Sequence, residues 1–448
     1  MAQVFPFRAY RYNPAIASFS RVLTQPYDKI SPQMQDAYYA ADSHNLITIE
    51  KGRAFPGDSP QDNVYTRAAA ALREWIANQI VVPDPLPSFY AYSQDFTAPG
   101  TTERRTRRGF IGAGRLEEYS AGVIFRHEHT LSGPKADRLE LLRHTRTHTG
   151  QLFMLYSDPQ KRVDAILAEA ESSAVPATEV TDEYGVTHRL WIIAEPEKTN
   201  AIHEAMSDQK LVIADGHHRY ETALNYRNER RARAGSSDPN APYERAMMTF
   251  VNTRSEGLTI LPTHRVAANV HDFSWSSVRR YLEPWFSSVV FPFEGEEQKV
   301  QAREKLLQEL HAGRAKRAIG VYPAPTGGKP AYYLLMLRAG AALDQLLPNV
   351  SPLQRQLDVV LLHEGILEPA LGITMQAVTH ESNLTYEREA SAALDAVESG
   401  KAQIAFLLNP VDVEKVTEIA TAGEVMPQKS TDFYPKLLSG ITMYRAEQ

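Results

Sequence analysis

Two histidines and an arginine follow a glycine at the point where an apolar strand pattern gives way to a helical one. The four residues before this point, 211–214, are apolar, and apolar residues after it recur at the spacing of a helix face. Unpaired N–H groups and the helix dipole favour an anion at a helix N-terminus, so the pattern predicts a site for phosphate or carboxylate. The alternative is an aspartate-capped helix with solvated basic side chains. The candidate residues are Asp215, Gly216, His217, His218 and Arg219.

A second group of ionisable residues lies at 126–130, where two histidines flank a glutamate. Imidazole and carboxylate groups serve as metal ligands and as general acids or bases. We therefore take His127 and Glu128 as candidate catalytic residues, and Glu128 and His129 as candidate metal ligands. His144 and His148 form a further pair at the i, i+4 spacing of a helix. No HExxH spacing is present, and satisfied polar residues at a domain contact explain the group nearly as well.

A third group follows a predicted helix at 412–421. Lys429, Ser430 and Thr431 offer an ammonium group and two hydroxyls, which contact phosphate and metal in many nucleotide sites. No glycine-rich loop precedes them, so the segment is not a P-loop. A turn whose hydroxyls bond to its own backbone is the alternative. Residues 25–30 form a fourth group, which alone indicates only a turn with an exposed acid.

The composition excludes several classes of protein. The 448 residues are 43% apolar, which allows two or three domains with a sizeable core. Cysteine is absent, so disulfides, thiolate zinc sites and cysteine nucleophiles are excluded. The net charge is −6 and the basic residues are spread along the chain, which argues against nucleic acid as a partner. No signal-peptide pattern or long apolar run is present, so we expect a cytoplasmic protein with no membrane partner.

Strand-like and helix-like segments alternate along the chain, which predicts an α/β or α+β fold. We predict a division near residue 268, between an N-terminal α/β region at 1–268 and a C-terminal α/β region at 269–448 that closes the site. The main predicted strands are 88–96, 186–194, 211–214 and 245–251. The main predicted helices are 66–79, 197–206, 218–233, 298–312 and 352–367.

Six sets of motifs, in order along most of the chain, resemble a bacterial and archaeal family known as domain of unknown function 1015. The resemblance brings no established activity with it. The motifs are Pro26-Tyr27-Asp28, Arg108-Gly109-Phe110 with Arg115-Leu116-Glu117-Glu118-Tyr119, His127-Glu128-His129-Thr130 with Asp137-Arg138-Leu139, Ala214-Asp215-Gly216-His217-His218-Arg219-Tyr220, Pro262-Thr263-His264-Arg265, and Met426-Pro427-Gln428-Lys429-Ser430-Thr431.

The run from Gly216 to Tyr220 is also similar to the Gly-x-His-Arg-Tyr signature of sulfiredoxins. It is similar more loosely to the corresponding turns of ParB proteins and free-serine kinases, which share a fold superfamily. This resemblance covers about residues 185–265 and implies a ParB/sulfiredoxin-like nucleotide-binding core. Carried over, His218 and Arg219 would contact nucleotide phosphates and Asp215 would help to hold the turn. Sulfiredoxins place a reactive cysteine where this chain has His217, so reduction of sulfinic acids is excluded.

These residues predict a nucleotide-dependent phosphotransferase or phosphohydrolase that acts on a small metabolite, with a free-serine-kinase-like activity as its most concrete form. The cofactor would be ATP or ADP, with or without Mg²⁺. Two alternatives stay open: a nucleotide-gated switch or binding protein, and a histidine-metal-dependent hydrolase. A homodimer is compatible with each. The assigned roles are phosphate binding for His218, Arg219, Lys429, Ser430 and Thr431, magnesium binding or base catalysis for Glu128 or Asp215, and proton transfer for His127 or His217.

Overall fold

The computed structural model describes residues 1–128, 133–235, 238–325, 328–374 and 383–447. It divides into two compact units, one made of residues 1–259 and 433–448 and the other of residues 260–432. The segment after residue 432 therefore belongs to the first unit, whereas the sequence analysis kept it with the C-terminal region. The domains 1–268 and 269–448 stay a prediction about independently folding regions.

The first unit is built on one large mixed sheet. Its strands lie in the order β6-β11-β8-β12-β5-β4-β10-β9, and β1 also pairs with β5. The pairs β6/β11 and β8/β12 are parallel, and the other pairs are antiparallel. These strands are β1 (Val4–Phe5), β2 (Tyr10–Tyr12), β3 (Val81–Pro83), β4 (Phe89–Thr97), β5 (Arg104–Arg115), β6 (Ile124–Phe125), β7 (Thr147–His148), β8 (Leu152–Tyr156), β9 (Thr178–Thr181), β10 (Thr187–Ile193), β11 (Leu211–Asp215) and β12 (Arg245–Asn252), where β2 and β3 form a separate pair.

Helices of this unit bury their apolar faces against the sheet or against one another. The helix over Val64–Ala77 shows why such a segment forms: Asn63 and Thr66 make a reciprocal capping box, and Ala69, Leu72 and Trp75 bury one face. The α-helices of the unit are α1 (Phe19–Val22), α2 (Pro32–Ala41), α3 (Ile47–Glu50), α4 (Val64–Ala77), α5 (Gly133–Thr145), α6 (Arg162–Ser173), α7 (Pro196–Met206) and α8 (His217–Ala234), with 3₁₀ turns at Tyr27–Lys29, Tyr119–Ala121 and Pro242–Glu244.

The second unit contains an antiparallel six-stranded sheet with its own apolar core, in the order β15-β17-β16-β19-β14-β18. The strands are β13 (Thr259–Leu261), β14 (His264–Ala267), β15 (Phe286–Pro292), β16 (Ile319–Pro323), β17 (Ala331–Leu337), β18 (Leu384–Glu387) and β19 (Ile404–Leu407). The helices are α9 (Trp275–Leu282), α10 (Gly295–Ala312), α11 (Leu343–Leu346), α12 (Asp358–Leu362), α13 (Glu368–Leu371), α14 (Ala390–Glu398) and α15 (Val413–Thr421), with 3₁₀ turns at Arg314–Lys316 and Gln354–Gln356. Two short strands follow in the chain, β20 (Asp432–Tyr434) and β21 (Tyr444–Arg445), and β21 pairs with β7 of the first unit.

The predicted α/β class is confirmed, and so are most of the predicted elements. Strands β4, β10, β11 and β12 and helices α4, α7, α8 and α10 match their predictions to within three residues at each end. In the part of the chain that the structure covers, no helix has both the length and the apolar character needed to cross a bilayer.

Two local predictions are wrong. The single helix predicted at 352–367 is interrupted, because Leu357 is extended and a π-helical turn, His363–Leu367, follows α12. His144 and His148 do not share a helix, because α5 ends at Thr145 and Arg146 takes a left-handed conformation with φ 53°. His148 lies in β7 instead.

Gly257 should be among the least replaceable residues of the first unit. A Cβ there would lie 2.1 Å from the Thr106 carbonyl oxygen, and its φ is +83°. We expect Gly257→Ala to lower the free energy of unfolding by ~3 kcal/mol, because both the clash and the left-handed backbone oppose it. Gly185→Ala is the matched control: its φ is +76° but nothing lies within 4 Å of the added Cβ. It should cost about 1 kcal/mol in urea denaturation, and equal losses would contradict the role of the close approach.

Candidate functional site

The turn between β11 and α8 presents the N-terminus of a long helix without a capping side chain. The register of β11 against β8 shifts between Ile213 and Asp215, at the end of the strand. Gly216 then takes φ +95° as the N-cap residue, and a Cβ there would lie 3.2 Å from Arg219 Nε. The first turn of α8 carries no acidic residue. The positive end of the helix dipole therefore lies beside basic side chains, an arrangement that favours a bound anion.

Asp215 lies among several cations at this turn. Lys436 Nζ donates to Asp215 Oδ2 at 2.9 Å, and the carboxylate side chain is 29% exposed. Burial raises the pKa of Asp215, but Lys436, Arg219 and Lys29 together hold that pKa well below its usual range. The carboxylate is therefore ionised, and it is outnumbered by the cations that act on it. Lys29 belongs to the 25–30 group of the sequence analysis, which the structure brings to this turn.

His127 and His217 form a buried pair of rings at this turn. Their ring centroids are 4.7 Å apart in an edge-to-face arrangement. His127 Nδ1 lies 2.7 Å from the Ile213 carbonyl oxygen, and the His127 backbone N–H points at His217 Nε2 at 3.5 Å. Burial lowers the pKa of His127 to about 4 and that of His217 well below its usual value, so both rings are neutral near pH 7. The other two residues of the turn, His218 and Arg219, are half-buried.

Residues 433–436 return to the first unit and supply Lys436. The Phe433 ring packs against Phe153, 5.4 Å between centroids, and also contacts His127. Gln94 Nε2 donates to the Lys436 carbonyl oxygen at 2.8 Å. Lys436 could not be predicted from the sequence, because its partner is 221 positions away and no local pattern marks it.

Arg107 is hydrogen-bonded to the same segment. It is 1% exposed, and it donates to Gln94 Oε1 at 3.0 Å and to the carbonyl oxygens of Tyr434 and Pro435. Burial lowers the pKa of Arg107 to about 10, so its guanidinium is still charged near pH 7. A buried cation that satisfies two carbonyl oxygens fixes the backbone of this segment and therefore the position of Lys436.

Arg219 also lines a small cavity of about 50 Å³. Arg219 Nη1 donates to the Gln151 carbonyl oxygen. A Cβ on Gly150 would lie 3.1 Å from Arg219 Nη1 and 3.5 Å from Glu50 Oε1, so Arg219 and Glu50 meet at this glycine. Arg138 and Thr222 also line the cavity. Within the described chain, the buried Thr222 hydroxyl has no hydrogen-bond partner.

Glu50 is an acid of this site that could not be predicted from the sequence. Its side chain is 2% exposed, and its carboxylate accepts hydrogen bonds from Thr149 and from Ser439, the latter at 3.1 Å. Ser439 comes from the same C-terminal segment as Lys436. A buried carboxylate held by two hydroxyls at a cavity wall is suited to accept a proton from a bound group.

The remaining predicted site residues are Glu128 and His129 in the first unit and Lys429, Ser430 and Thr431 in the second. Glu128 is half-buried next to His127, and His129 is not among the described residues. No set of three or more histidine, aspartate or glutamate side chains in the described ranges is arranged to hold a metal ion. Magnesium binding by Glu128 or His129 therefore stays a prediction.

Lys429, Ser430 and Thr431 belong to the second unit. Lys429 takes φ +57°, and its carbonyl oxygen accepts a hydrogen bond from Arg265 Nη2 at 3.0 Å. The Ser430 hydroxyl donates to the Pro427 carbonyl oxygen, as in the self-bonded turn that the sequence analysis kept open. Phosphate binding by these three residues stays a prediction.

The chain belongs to the family described as Protein of unknown function (DUF1015), whose model matches residues 4–360. This confirms the resemblance carried by the sequence motifs. No curated protein matches the chain significantly.

Three solved structures illustrate what the chain is similar to. A conserved hypothetical protein from Pyrococcus furiosus is 15% identical, with a TM-score of 0.30, over 69% of this chain and 87% of that one. A free serine kinase in complex with AMP is 13% identical, with a TM-score of 0.32, over 69% and 83%. SbnI with a C-terminal truncation, from Staphylococcus aureus, is 10% identical, with a TM-score of 0.33, over 73% and 85%.

Removal of the Asp215 charge should change how stability depends on pH. The folded-state pKa of Asp215 lies below its unfolded value of about 3.9, so its contribution to stability is present above that value and is lost as the pH falls below it. We expect Asp215→Asn to be less stable than the wild type at pH 6, and this gap to narrow by ~1 kcal/mol at pH 3 in urea denaturation. Exposed Asp208→Asn is the control and should show a small gap at both values. A gap that does not depend on pH would contradict the charge cluster.

Proposed function

We propose that this member of the DUF1015 family is a nucleotide-dependent phosphotransferase or phosphohydrolase that acts on a small metabolite. The observation that carries the proposal is the action of Lys436, Arg219 and Lys29 on the single carboxylate of Asp215 at the glycine-capped start of α8. Phosphoryl transfer is catalysed mainly by positioning and by neutralising phosphate charge, and such a cluster supplies both.

In this proposal the turn binds the phosphates of ATP or ADP. The first N–H groups of α8 donate to phosphate oxygens, and Arg219 and Lys436 balance their charge. His218, in the first turn, adds a further contact. Asp215 offsets part of the positive charge in the free protein and is a poor base, because its pKa is depressed. Mg²⁺ would be held by phosphate oxygens and water, with Glu128 or His129 as the predicted side-chain ligand.

The acceptor would approach through the cavity beside Arg219. A hydroxyl of a small metabolite, or a water molecule, would donate its proton to Glu50 while its oxygen bonds to the transferred phosphorus and the bond to the nucleotide breaks. Arg138 and Thr222 line the same cavity and would orient the acceptor. The neutral pair His127 and His217 would support the turn from behind. A cytoplasmic location, a homodimer and the absence of nucleic acid partners stay predictions from the sequence.

Arg219→Ala should weaken nucleotide binding. A charge-assisted hydrogen bond to phosphate contributes about 1.5–3 kcal/mol, so we expect ADP or ATP affinity to fall roughly 10- to 100-fold in calorimetric titration. Arg233→Ala, in the last turn of the same helix, is the matched control and should bind as the wild type does. Equal affinity of the Arg219→Ala and Arg233→Ala proteins for ADP or ATP would show that the nucleotide does not bind at this turn.

Glu50→Gln should separate binding from chemistry. The amide keeps the size of the side chain but is not a base, so we expect turnover of nucleotide to fall by about 100-fold or more with nearly unchanged nucleotide affinity. Turnover would be measured as ADP or AMP release with a panel of small hydroxylated metabolites and with water alone. Wild-type turnover in the Glu50→Gln protein would rule out Glu50 as the base.

A nucleotide-gated switch is the second candidate, and the Lys436 to Asp215 ion pair favours it. Lys436 lies in the segment that follows the second unit in the chain and belongs to the first unit. A phosphate that competes with Asp215 for Lys436 would therefore loosen this segment. Such a switch would bind nucleotide without consuming it. Hydrogen exchange of residues 433–447 with and without ADP, measured alongside turnover, distinguishes the two: faster exchange with no turnover supports the switch.

A further inference from the structure

The second unit contains a cavity of about 810 Å³, which lies within the usual range of small-molecule sites. It is formed by the 3₁₀ turn Arg314–Lys316, the segment 352–358, the residues after β19 and the first turn of α15. Every lining residue belongs to the second unit, so this cavity is independent of the turn before α8.

The cavity carries an excess of positive charge. Two acids compensate two of its arginines: Arg317 Nε donates to Asp358 Oδ1 at 3.0 Å, and Arg314 pairs with Asp412. Its other two basic side chains, Arg355 and Lys415, are hydrogen-bonded to backbone carbonyl oxygens, which carry no net charge. The described lining therefore has two more positive than negative side chains.

A buried donor in this cavity also lacks an acceptor. Arg317 has a left-handed backbone with φ 54°, and its Nη1 donates to the Arg355 carbonyl oxygen. Its Nη2 is buried and has no hydrogen-bond partner within the described part of the chain. A buried guanidinium nitrogen without an acceptor is costly, so the protein itself does not fully satisfy Arg317, which is one of the lining residues.

Apolar side chains also line the cavity. They are Leu343, Pro352, Leu357, Pro410 and Val411. A lining that combines apolar and basic side chains suits a ligand with an apolar body and a negatively charged group. Two excess positive charges match a phosphate monoester, whose second pKa near 6 gives it almost two negative charges at pH 7. Arginine forks also match phosphate oxygens in geometry.

We infer that this cavity is a binding site for a phosphate monoester with an apolar body. The phosphate would lie at Arg317, Arg355 and Lys415, and the body would pack against Leu357 and Pro410. The inference does not rest on nucleotide binding at the α8 turn, because the two sets of residues are separate.

Phenyl phosphate is the probe that tests the inference on the full-length protein. We expect it to bind at least about tenfold more tightly than inorganic phosphate, benzoate or phenol, because only phenyl phosphate has both the charge and the ring. The titration would be made with both the wild-type and the Arg219→Ala proteins. The substitution at the α8 turn should not change the affinity for phenyl phosphate, because Arg219 does not line this cavity. Hydrogen exchange should slow in residues 352–358 and 409–415 when phenyl phosphate is added. Slower exchange confined to residues 216–222, or equal binding of phenyl phosphate and inorganic phosphate, would overturn the inference.

Two charge variants test the same site in opposite directions. Lys415→Met should weaken phenyl phosphate binding about five- to tenfold, whereas Lys401→Met, exposed in the same unit, should leave it unchanged. Asp412→Asn, whose side chain is half exposed, should tighten binding by about two- to fivefold, because it adds to the excess charge. If Lys415→Met fails to fold, Asp412→Asn still decides. Equal binding by the Lys415→Met and Lys401→Met proteins, or no gain in Asp412→Asn, would overturn the inference.

Discussion

The ion pair between Asp215 and Lys436 joins residues that are 221 positions apart in the sequence. It links the end of β11 in the large sheet to the segment that returns to the first unit after residue 432. His217 in the first turn of α8 packs against His127, and His127 contacts Phe433 of the returning segment. The ion pair and these ring contacts therefore join the same two parts of the candidate site.

A network of buried polar side chains maintains that contact. Arg107 and Gln94 hold the carbonyl oxygens of residues 434–436, and the same Gln94 also approaches buried His188. His188 is hydrogen-bonded to Tyr92 and faces Asp182. Burying so many polar groups costs free energy unless each is satisfied, and a satisfied network specifies one arrangement of the backbone. The rigidity of the segment that carries Lys436 is a consequence of that network.

Local features of the site could be predicted from the sequence because they are set by neighbouring residues. A short apolar strand, a glycine that adopts positive φ and a helix that begins at residue 217 all follow from local spacing. Glu50, Arg107 and Lys436 could not be predicted in the same way, since tertiary contacts more than eighty positions away give them their roles.

The two wrong local predictions have the same cause, which is an irregular backbone conformation that the sequence pattern does not reveal. The predicted helix at 352–367 has the right apolar periodicity, but an extended residue and a π-helical turn interrupt it. His144 and His148 have the right spacing for one helix face, but Arg146 ends the helix between them. Apolar periodicity indicates which side chains are buried. It does not indicate single residues whose backbone departs from the helical conformation.

The division of the first unit between residues 1–259 and 433–448 has a consequence for synthesis on the ribosome. Strands β1 to β12 and helices α1 to α8 emerge first, yet Asp215, Glu50 and Gln94 each lack one hydrogen-bond partner until residues 433–439 have been translated. The whole second unit, 260–432, is made in the interval. Because domains generally fold as units during translation, the second unit can reach its native state before the first does. The nascent first unit thus holds two carboxylates and a glutamine that each lack one native contact until the end of the chain has been synthesised.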